Sequence, residues 1–367
     1  MKHFTIHARL THNCNADCSY CSSWKNNSDK PMKIGDFEQS MHFIVNKILP
    51  FIGVNKDVHI SMQFIGGEIL TLNHKDLLKY ITAGRNIISS RYPNYIDGCQ
   101  SNLIASDRKI IELFNLFGNN ISTSIDSYGS CRTVNGDSLK YKKILDNSLS
   151  TLLSKRNFKP SAVYVMDNNG CKNIISEFIL AEKSSRALTL RPAFNGGKTV
   201  SKADEITLIS LYKQLFDIWF MKSNIRLYPH QQFVESIINS RQSGGCPFQN
   251  NCAESSLSLE PNGNLHICMD MADSNVGLIG NALTGELDIN TWNKYALRKN
   301  KLDSSCFSCR NYSVCQGGCM NDAISSGGSI YDKTELCSLW LNLIDHIKFK
   351  IDNEDNKNII AWLDTLE

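Results

Sequence analysis

Up to about residue 195 the sequence alternates short strand-like runs with longer helix-like ones, and this alternation limits the fold more than any other feature. The strand candidates are FTIHARL (4–10), HISMQFI (59–65), YIDGCQSNLI (95–104), ISTSID (121–126), AVYVMD (162–167) and ALTLRPAF (187–194). They are short, rich in Val, Ile, Tyr and Phe, and bounded by Gly, Asn, Asp or Pro. A helix beginning at Asp36 has a capping-box pattern with Gln39, and Phe37, Met41, Ile44 and Ile48 recur at helical spacing before Pro50 ends it. Ser106 starts another, carrying Ile110, Ile111, Phe114 and Phe117 up to Gly118. Further helices are expected at 74–91, 138–156, 172–184 and 204–221. Strand and helix alternating at this pitch mean βαβ units and a parallel sheet with right-handed crossovers. Six such units make an α/β fold of incomplete TIM-barrel type, whose working parts belong at the C-terminal ends of the strands.

The 367 residues suggest two domains rather than one. A formal net charge of +3, with no dense Lys/Arg block, gives no electrostatic case for nucleic acid or an anionic membrane. No apolar run approaches the ~20 residues that span a bilayer. The opening MKHFTIHARLTHNC has no apolar h-region, so the cytoplasm is the expected location. Fourteen cysteines without an export signal then point to metal ligation in a reducing compartment.

Three of them, Cys14, Cys18 and Cys21, sit in THNCNADCSYC directly after the first expected strand. Three thiolates can hold three irons of a 4Fe–4S cube and leave the fourth iron open to bind a small molecule. A zinc site borrowing a distant fourth ligand, or three unrelated thiols, are the other readings. After residue 240 the composition shifts, and SRQSGGCPFQNNC opens a loop-rich region with eight of the fourteen cysteines. It reads as a second domain whose core is metal rather than a full apolar interior. Cys246 and Cys252 are six apart, and Cys268 follows in CX10GX4C with Gly263 in place. Cys306, Cys309, Cys315 and Cys319 then form CX2CX5CX3C, and Cys337 lies seventeen intervening residues further on. Eight thiolates saturate two 4Fe–4S clusters or a pair of zinc ribbons. CSLWLNLIDHIKFKI and IIAWLDTL at the end read as one longer and one short amphipathic helix.

The triplet, with Tyr20 just before Cys21, resembles the signature loop of the radical S-adenosylmethionine (SAM) enzymes. The eight-cysteine set resembles the SPASM extension of that family, so the resemblance covers nearly the whole chain. It implies a partial (β/α)6 TIM-type radical SAM barrel over residues 1–200, a helical bridging region over 201–245, a C-terminal iron–sulfur SPASM domain over 246–340 and closing helices over 341–367. Three 4Fe–4S clusters are implied: one SAM-binding cluster on the triplet and two auxiliary clusters. Cys246, Cys252, Cys268 and Cys319 would hold the first auxiliary cluster, and Cys306, Cys309, Cys315 and Cys337 the second. Gly66-Gly67-Glu68 resembles the family's GGE motif, where glycine backbone and carboxylate receive the SAM amino group; Ile69 stands where the family usually has Pro. Ser124 and Asp126 resemble its fourth-strand SxD pattern, with Ser124 on the SAM carboxylate. Arg132 occupies the place of an arginine that pairs with that carboxylate, a task suited to its planar fork. Ser101 and Asn102 resemble a third-strand polar pair, and Tyr20 is expected against adenine. Cys99, Cys131 and Cys171 read as small buried hydrophobes.

The resemblance further implies a ribosomal precursor peptide as substrate and an external electron donor of flavodoxin or ferredoxin type. Two fully ligated auxiliary clusters fit an overall oxidation, and the nearest look is to maturases that form an intramolecular carbon–carbon crosslink, a cyclophane. With no room for a fused leader-binding domain, a separate leader-binding protein or a strand edge on the barrel would take the leader peptide. Thioether formation, peptide epimerisation and formylglycine formation are the alternatives within the class. Epimerisation needs a thiol hydrogen donor, which Cys99, Cys131 or Cys171 could supply. Sulfatase maturases place an Asp directly after the third auxiliary ligand; here Met269 follows Cys268, and Asp270 is the candidate catalytic base. Outside the class stand an iron–sulfur electron carrier and a zinc-binding scaffold.

Overall fold

The computed structural model describes residues 3–23, 30–193, 202–243 and 245–366. Phe194 of the sixth expected strand, and the expected domain bounds at 1, 200, 201 and 367, lie outside the described residues. By contact the chain divides into two compact units that interleave along the sequence. One comprises Met1–Ser124, Arg132–Pro160 and Asn251–Leu297; the other comprises Ile125–Cys131, Ser161–Asn250 and Arg298–Glu367.

The first unit is built on parallel strands. His3–Arg9 pairs with His59–Ile65, that strand with Tyr95–Ser101, and the latter with Ile121–Ser124. The register sets Phe4 beside Ile60, Ile6 beside Met62 and Ala8 beside Phe64, all six fully buried, so both faces of the sheet are not free to exchange. Helices His74–Ser89, Asp107–Phe117 and Ser138–Arg156 lie in the crossovers, and side chains of Asn73 and Asp137 cap two of them.

Two expectations change here. The first helix starts at Ile34, not Asp36, so the Asp36–Gln39 capping box does not form; Asp36 lies in the first turn. Pro50 does not end it either. The chain widens into a π-turn over Ile44–Ile48 and continues through Leu49–Ile52 to Gly53, whose φ of 84° closes the helix. A wider turn takes the missing proline N–H and the ring without the clash that an α-turn imposes.

Residues 251–297 also depart from a metal-cored domain. Ser256–Leu259 pairs in parallel with His3–Arg9 and continues through antiparallel Asn264–His266, Leu278–Asn281 and Glu286–Leu287. Leu257, Leu259, Leu265, Ile267 and Ile279 are buried there, an apolar interior carried by strands too short to signal themselves.

In the second unit Ser161–Met166, Leu188–Pro192 and Leu227–Tyr228 run parallel. Helices Gly170–Lys183, Glu205–Trp219, His230–Ile238 and Cys337–Ile351 belong to it, with the expected short last helix at Asn356–Leu363. An aromatic core joins several of them: Tyr212 stacks on His230 at 5.5 Å, and Trp340 meets Phe248 edge-on at 5.0 Å. No helix among the described residues is long and apolar enough to cross a membrane.

Candidate functional site

The loop carrying Cys14, Cys18 and Cys21 leaves the first strand at its C-terminal end. Cys14 is exposed as a residue, yet the protein crowded around its sulfur pushes the thiol up to about 12, with Glu68, Cys18 and Cys21 adding negative charge. Three thiolates so close repel one another unless positive metal charge is shared among them. Gly66 and Gly67 dock against this loop: Gly67 N–H donates to Thr11 O at 2.7 Å and Glu68 N–H to Asn13 O at 2.7 Å. A Cβ on Gly67 would stand 2.3 Å from His12 O and 2.4 Å from Asn13 O. The glycine is required by the backbone of the cysteine loop itself, not only by a ligand.

Glu68 is buried, and its carboxylate gathers the next strand end. Ser101 Oγ donates to Oε1 at 2.8 Å, Leu70 N–H to Oε1 at 2.9 Å and Asn102 N–H to Oε2 at 2.6 Å. Burial pushes its pKa up, against the pull of these donors and of Arg132. A carboxylate has about four acceptor positions, which leaves room for a further donor on Oε2. Asn102 Nδ2 reaches Cys14 Sγ at 3.7 Å and Asn15 Oδ1 at 2.9 Å, so Ser101, Asn102, Glu68 and Cys14 form one connected group. Ser124 accepts from Gln100 Nε2 at 3.1 Å through its hydroxyl, and its carbonyl accepts from Tyr141 OH at 3.0 Å.

Arg132 is the second anchor. A two-residue strand pairs it with Cys18, and its guanidinium lies 5.9 Å from the Tyr20 ring centre and 5.4 Å from that of Tyr141. Burial opposes its charge, but Cys18, Tyr141 and Tyr20 together hold its pKa well above the usual arginine value. Its Nε and Nη1 are buried without a hydrogen-bond partner among the described residues. Two orphaned N–H groups on a buried planar cation form a receptor for a carboxylate. Tyr20, expected against adenine, has its ring beneath this guanidinium.

A charged network in the same unit escaped sequence reading. Buried Arg9 pairs with Asp273 at 2.5 Å and Glu260 at 3.2 Å, and Ser22 Oγ donates to Asp273 at 2.7 Å. Asp270 adds its field to Arg9. Residue Ser22 follows Cys21, and Asp270 and Asp273 lie in the short helix that follows Cys268, so the network ties the triplet loop to that helix. Arg9, closing a strand whose alternate residues Phe4, Ile6 and Ala8 are apolar, was the available signal.

In the second unit Cys306, Cys309, Cys315 and Cys337 line one cavity of about 310 Å3, alongside Tyr312 and Lys333. Burial pushes Cys315 up to about 12, with Cys337, Cys306 and Cys309 adding to the shift, and Cys306 up to about 11. Four thiols facing one cavity of this size fit a four-iron cube. Cys246 and Cys319 line a smaller cavity of about 60 Å3 in the same unit, where Arg191 Nη1 donates to Cys246 Sγ at 3.9 Å. Cys252 and Cys268 belong to the first unit. Asp126 lies in the second unit, apart from Ser124 in the division of the chain, and accepts the Cys131 N–H at 2.8 Å. Among the described residues no group of three or more His, Cys, Asp or Glu stands tightly enough to grip a single ion. A cube takes each thiolate on a different iron, so its ligands stand wider apart than those of one zinc.

No protein-family model matches the sequence, and a search of curated proteins finds no match. Solved structures do resemble it. The anaerobic sulfatase-maturating enzyme anSMEcpe with bound AdoMet superposes with a TM-score of 0.75 at 16% identity, covering 95% of this chain and 98% of that one. The same protein with bound AdoMet and the Kp18Cys peptide gives 0.75 at 16%, over 96% and 98%. Streptococcus suis SuiB bound to precursor peptide SuiA gives 0.59 at 14%, over 92% and 76%. The chain therefore has the mixed α/β fold of radical SAM/SPASM proteins.

Proposed function

We propose that this chain is a radical SAM/SPASM oxidoreductase that modifies a ribosomal precursor peptide, joining two of its residues by a carbon–carbon bond to form a cyclophane. The observation that carries the reading is Arg132, buried beside the cysteine triplet with two N–H groups unpartnered among the described residues. A planar cation in that place suits the SAM carboxylate, and the remaining acceptor position on Glu68 suits the SAM ammonium. Cys14, Cys18 and Cys21 would hold the cluster that binds SAM, with Tyr20, Gly66, Gly67, Asn102 and Ser124 shaping its surroundings. When bound, that cluster supplies the electron that splits SAM and so provides the radical that removes a hydrogen atom from the peptide.

Bond closure must release one proton and one further electron from the substrate. Asp270, whose charge acts on Arg9, is the candidate acceptor for the proton. Cys246, Cys252, Cys268 and Cys319 would hold one auxiliary cluster, and Cys306, Cys309, Cys315 and Cys337 the second, groups that would supply electron-accepting capacity. Peptide substrates are supported by the similar fold of SuiB bound to its precursor peptide. A flavodoxin- or ferredoxin-type donor in the cytoplasm would supply electrons, and a separate protein or a strand edge would take the leader peptide.

The test is anaerobic reconstitution, iron analysis and an assay for 5′-deoxyadenosine with dithionite. Three four-iron clusters give about twelve irons per chain. Replacing Cys14, Cys18 and Cys21 with Ala abolishes SAM cleavage and leaves about eight irons; surviving cleavage refutes the assignment. Coexpression with a candidate peptide then gives a product lighter by two hydrogens. The likeness to anSMEcpe over nearly equal lengths favours a second reading, formylglycine formation. An aldehyde-reactive probe on the product separates it from crosslinking.

A further inference from the structure

We infer that Arg298 is the positioning residue of the second four-cysteine site: it holds the Cys315–Cys319 loop in the shape that aims the Gly317 amide at the Cys315 sulfur, and its charge raises the reduction potential of the cluster bound there. The inference rests on the auxiliary-cluster reading above.

Between Cys315 and Cys319 the backbone takes three successive left-handed residues, Gln316, Gly317 and Gly318, with φ of 52°, 80° and 69°. Gln316 N–H donates to Tyr312 O at 2.8 Å and Gly318 N–H to Cys315 O at 3.0 Å, which leaves the Gly317 amide to face the cysteine site. Here Gly317 N–H is directed onto the Cys315 sulfur. Both glycines are required by this packing, because a Cβ at Gly318 would stand 2.3 Å from Thr334 Cγ2 and one at Gly317 2.5 Å from Leu302 Cδ2.

On the far side Gly317 O accepts from Thr334 N–H at 2.9 Å, and Arg298 adds donors to the carbonyls of both glycines. It is fully buried, and Nη2 donates to Gly318 O at 3.2 Å and Gly317 O at 3.4 Å. Nη1 donates to Asp332 O at 2.9 Å and to Ile330 O. One planar fork thus fastens the loop carrying Cys315 and Cys319 to the segment leading to Cys337. An ammonium group, with its donors on a single atom, cannot span the same carbonyls. The guanidinium also exerts a smaller favourable field at Cys306, after burial and nearer charges have acted. Reduction adds negative charge to an iron–sulfur cluster, so a fixed cation and an N–H donor at sulfur favour the reduced form.

The test uses the anaerobically reconstituted full chain as wild type, Arg298→Lys and Arg298→Met. Iron content, redox titration followed by electron paramagnetic resonance, and circular dichroism are measured on each. The expected result for Arg298→Met is loss of about four irons with the SAM-binding cluster signal retained. Arg298→Lys is expected to keep its iron but shift one auxiliary potential to more negative values, leaving the SAM-binding cluster unmoved. Full iron and unchanged potentials in both variants overturn the inference. Should Arg298→Met fail to fold, Arg298→Lys decides alone: a shift supports the inference and no shift overturns it. A wild-type chain holding only about four irons would instead overturn the auxiliary-cluster reading beneath it, whatever the variants do.

Discussion

Replacing Arg132 with Met separates a ligand receptor from a structural cation. In the folded chain the guanidinium is buried and two of its N–H groups have no partner among the described residues. A charge-assisted hydrogen bond nets about 1.5–3 kcal/mol, and two to one carboxylate, less than additive, come to about 2–4 kcal/mol. Losing them weakens SAM binding roughly 30- to 700-fold. Stability without SAM behaves differently. Its buried Nε and Nη1 go unsatisfied among the described residues, so an apolar side chain of similar length changes the unfolding free energy by less than about 1 kcal/mol. Arg132→Lys keeps the charge but not the fork and falls between the two in affinity. The assays are equilibrium binding of SAM to the cluster-loaded protein and urea unfolding in its absence. Unchanged SAM affinity in Arg132→Met, or a loss of several kcal/mol without SAM, would refute the reasoning.

Gly67→Ala forces the 11–13 backbone away, since its Cβ would lie 2.3 Å from His12 O. Loss of two loop hydrogen bonds plus overpacking costs about 2–5 kcal/mol, read as a lower urea midpoint together with loss of iron from the triplet; wild-type values for both would contradict the docking role. His230 is buried, with Nε2–H donating to Tyr212 O at 2.8 Å, and burial holds its pKa down to about 4. Its folded value lies below the unfolded one, so its contribution is complete above pH 6.5 and is lost as pH falls from 6.5 toward 4. The slope is about 1.4 kcal/mol per pH unit in that window. Urea unfolding of the metal-free chain across this range checks it, and His230→Phe should flatten the slope; an equal slope in both proteins counts against a neutral buried imidazole.

The βα alternation was readable because each strand and helix carries its own periodicity: HISMQFI forms its strand over the expected residues, and Ser106 and Gly118 bound their helix. The cysteine spacings were equally plain, since ligand intervals are local facts of the chain. The four thiols of 306–337 do line one cavity. Less legible was whatever depended on distant partners. Pro50 looked like a stop because its clash is local, but a π-turn absorbed it. Gly67 looked like a ligand contact, and its part in docking on backbone atoms some fifty-five residues earlier in the chain carried no local signal. Arg9 and Arg298 carried no motif at all.

By itself, then, the sequence determined the succession of elements, the cysteine intervals and the fold class, because spacing and amphipathic period act within a few residues. Tertiary structure alone decided that 251–297 extends the first sheet, that Arg132 is buried with open donors, and that Arg298 fastens the Cys315–Cys319 loop. Burial and orphaned hydrogen bonds are properties of what surrounds a side chain, and those surroundings exist only once remote segments have packed.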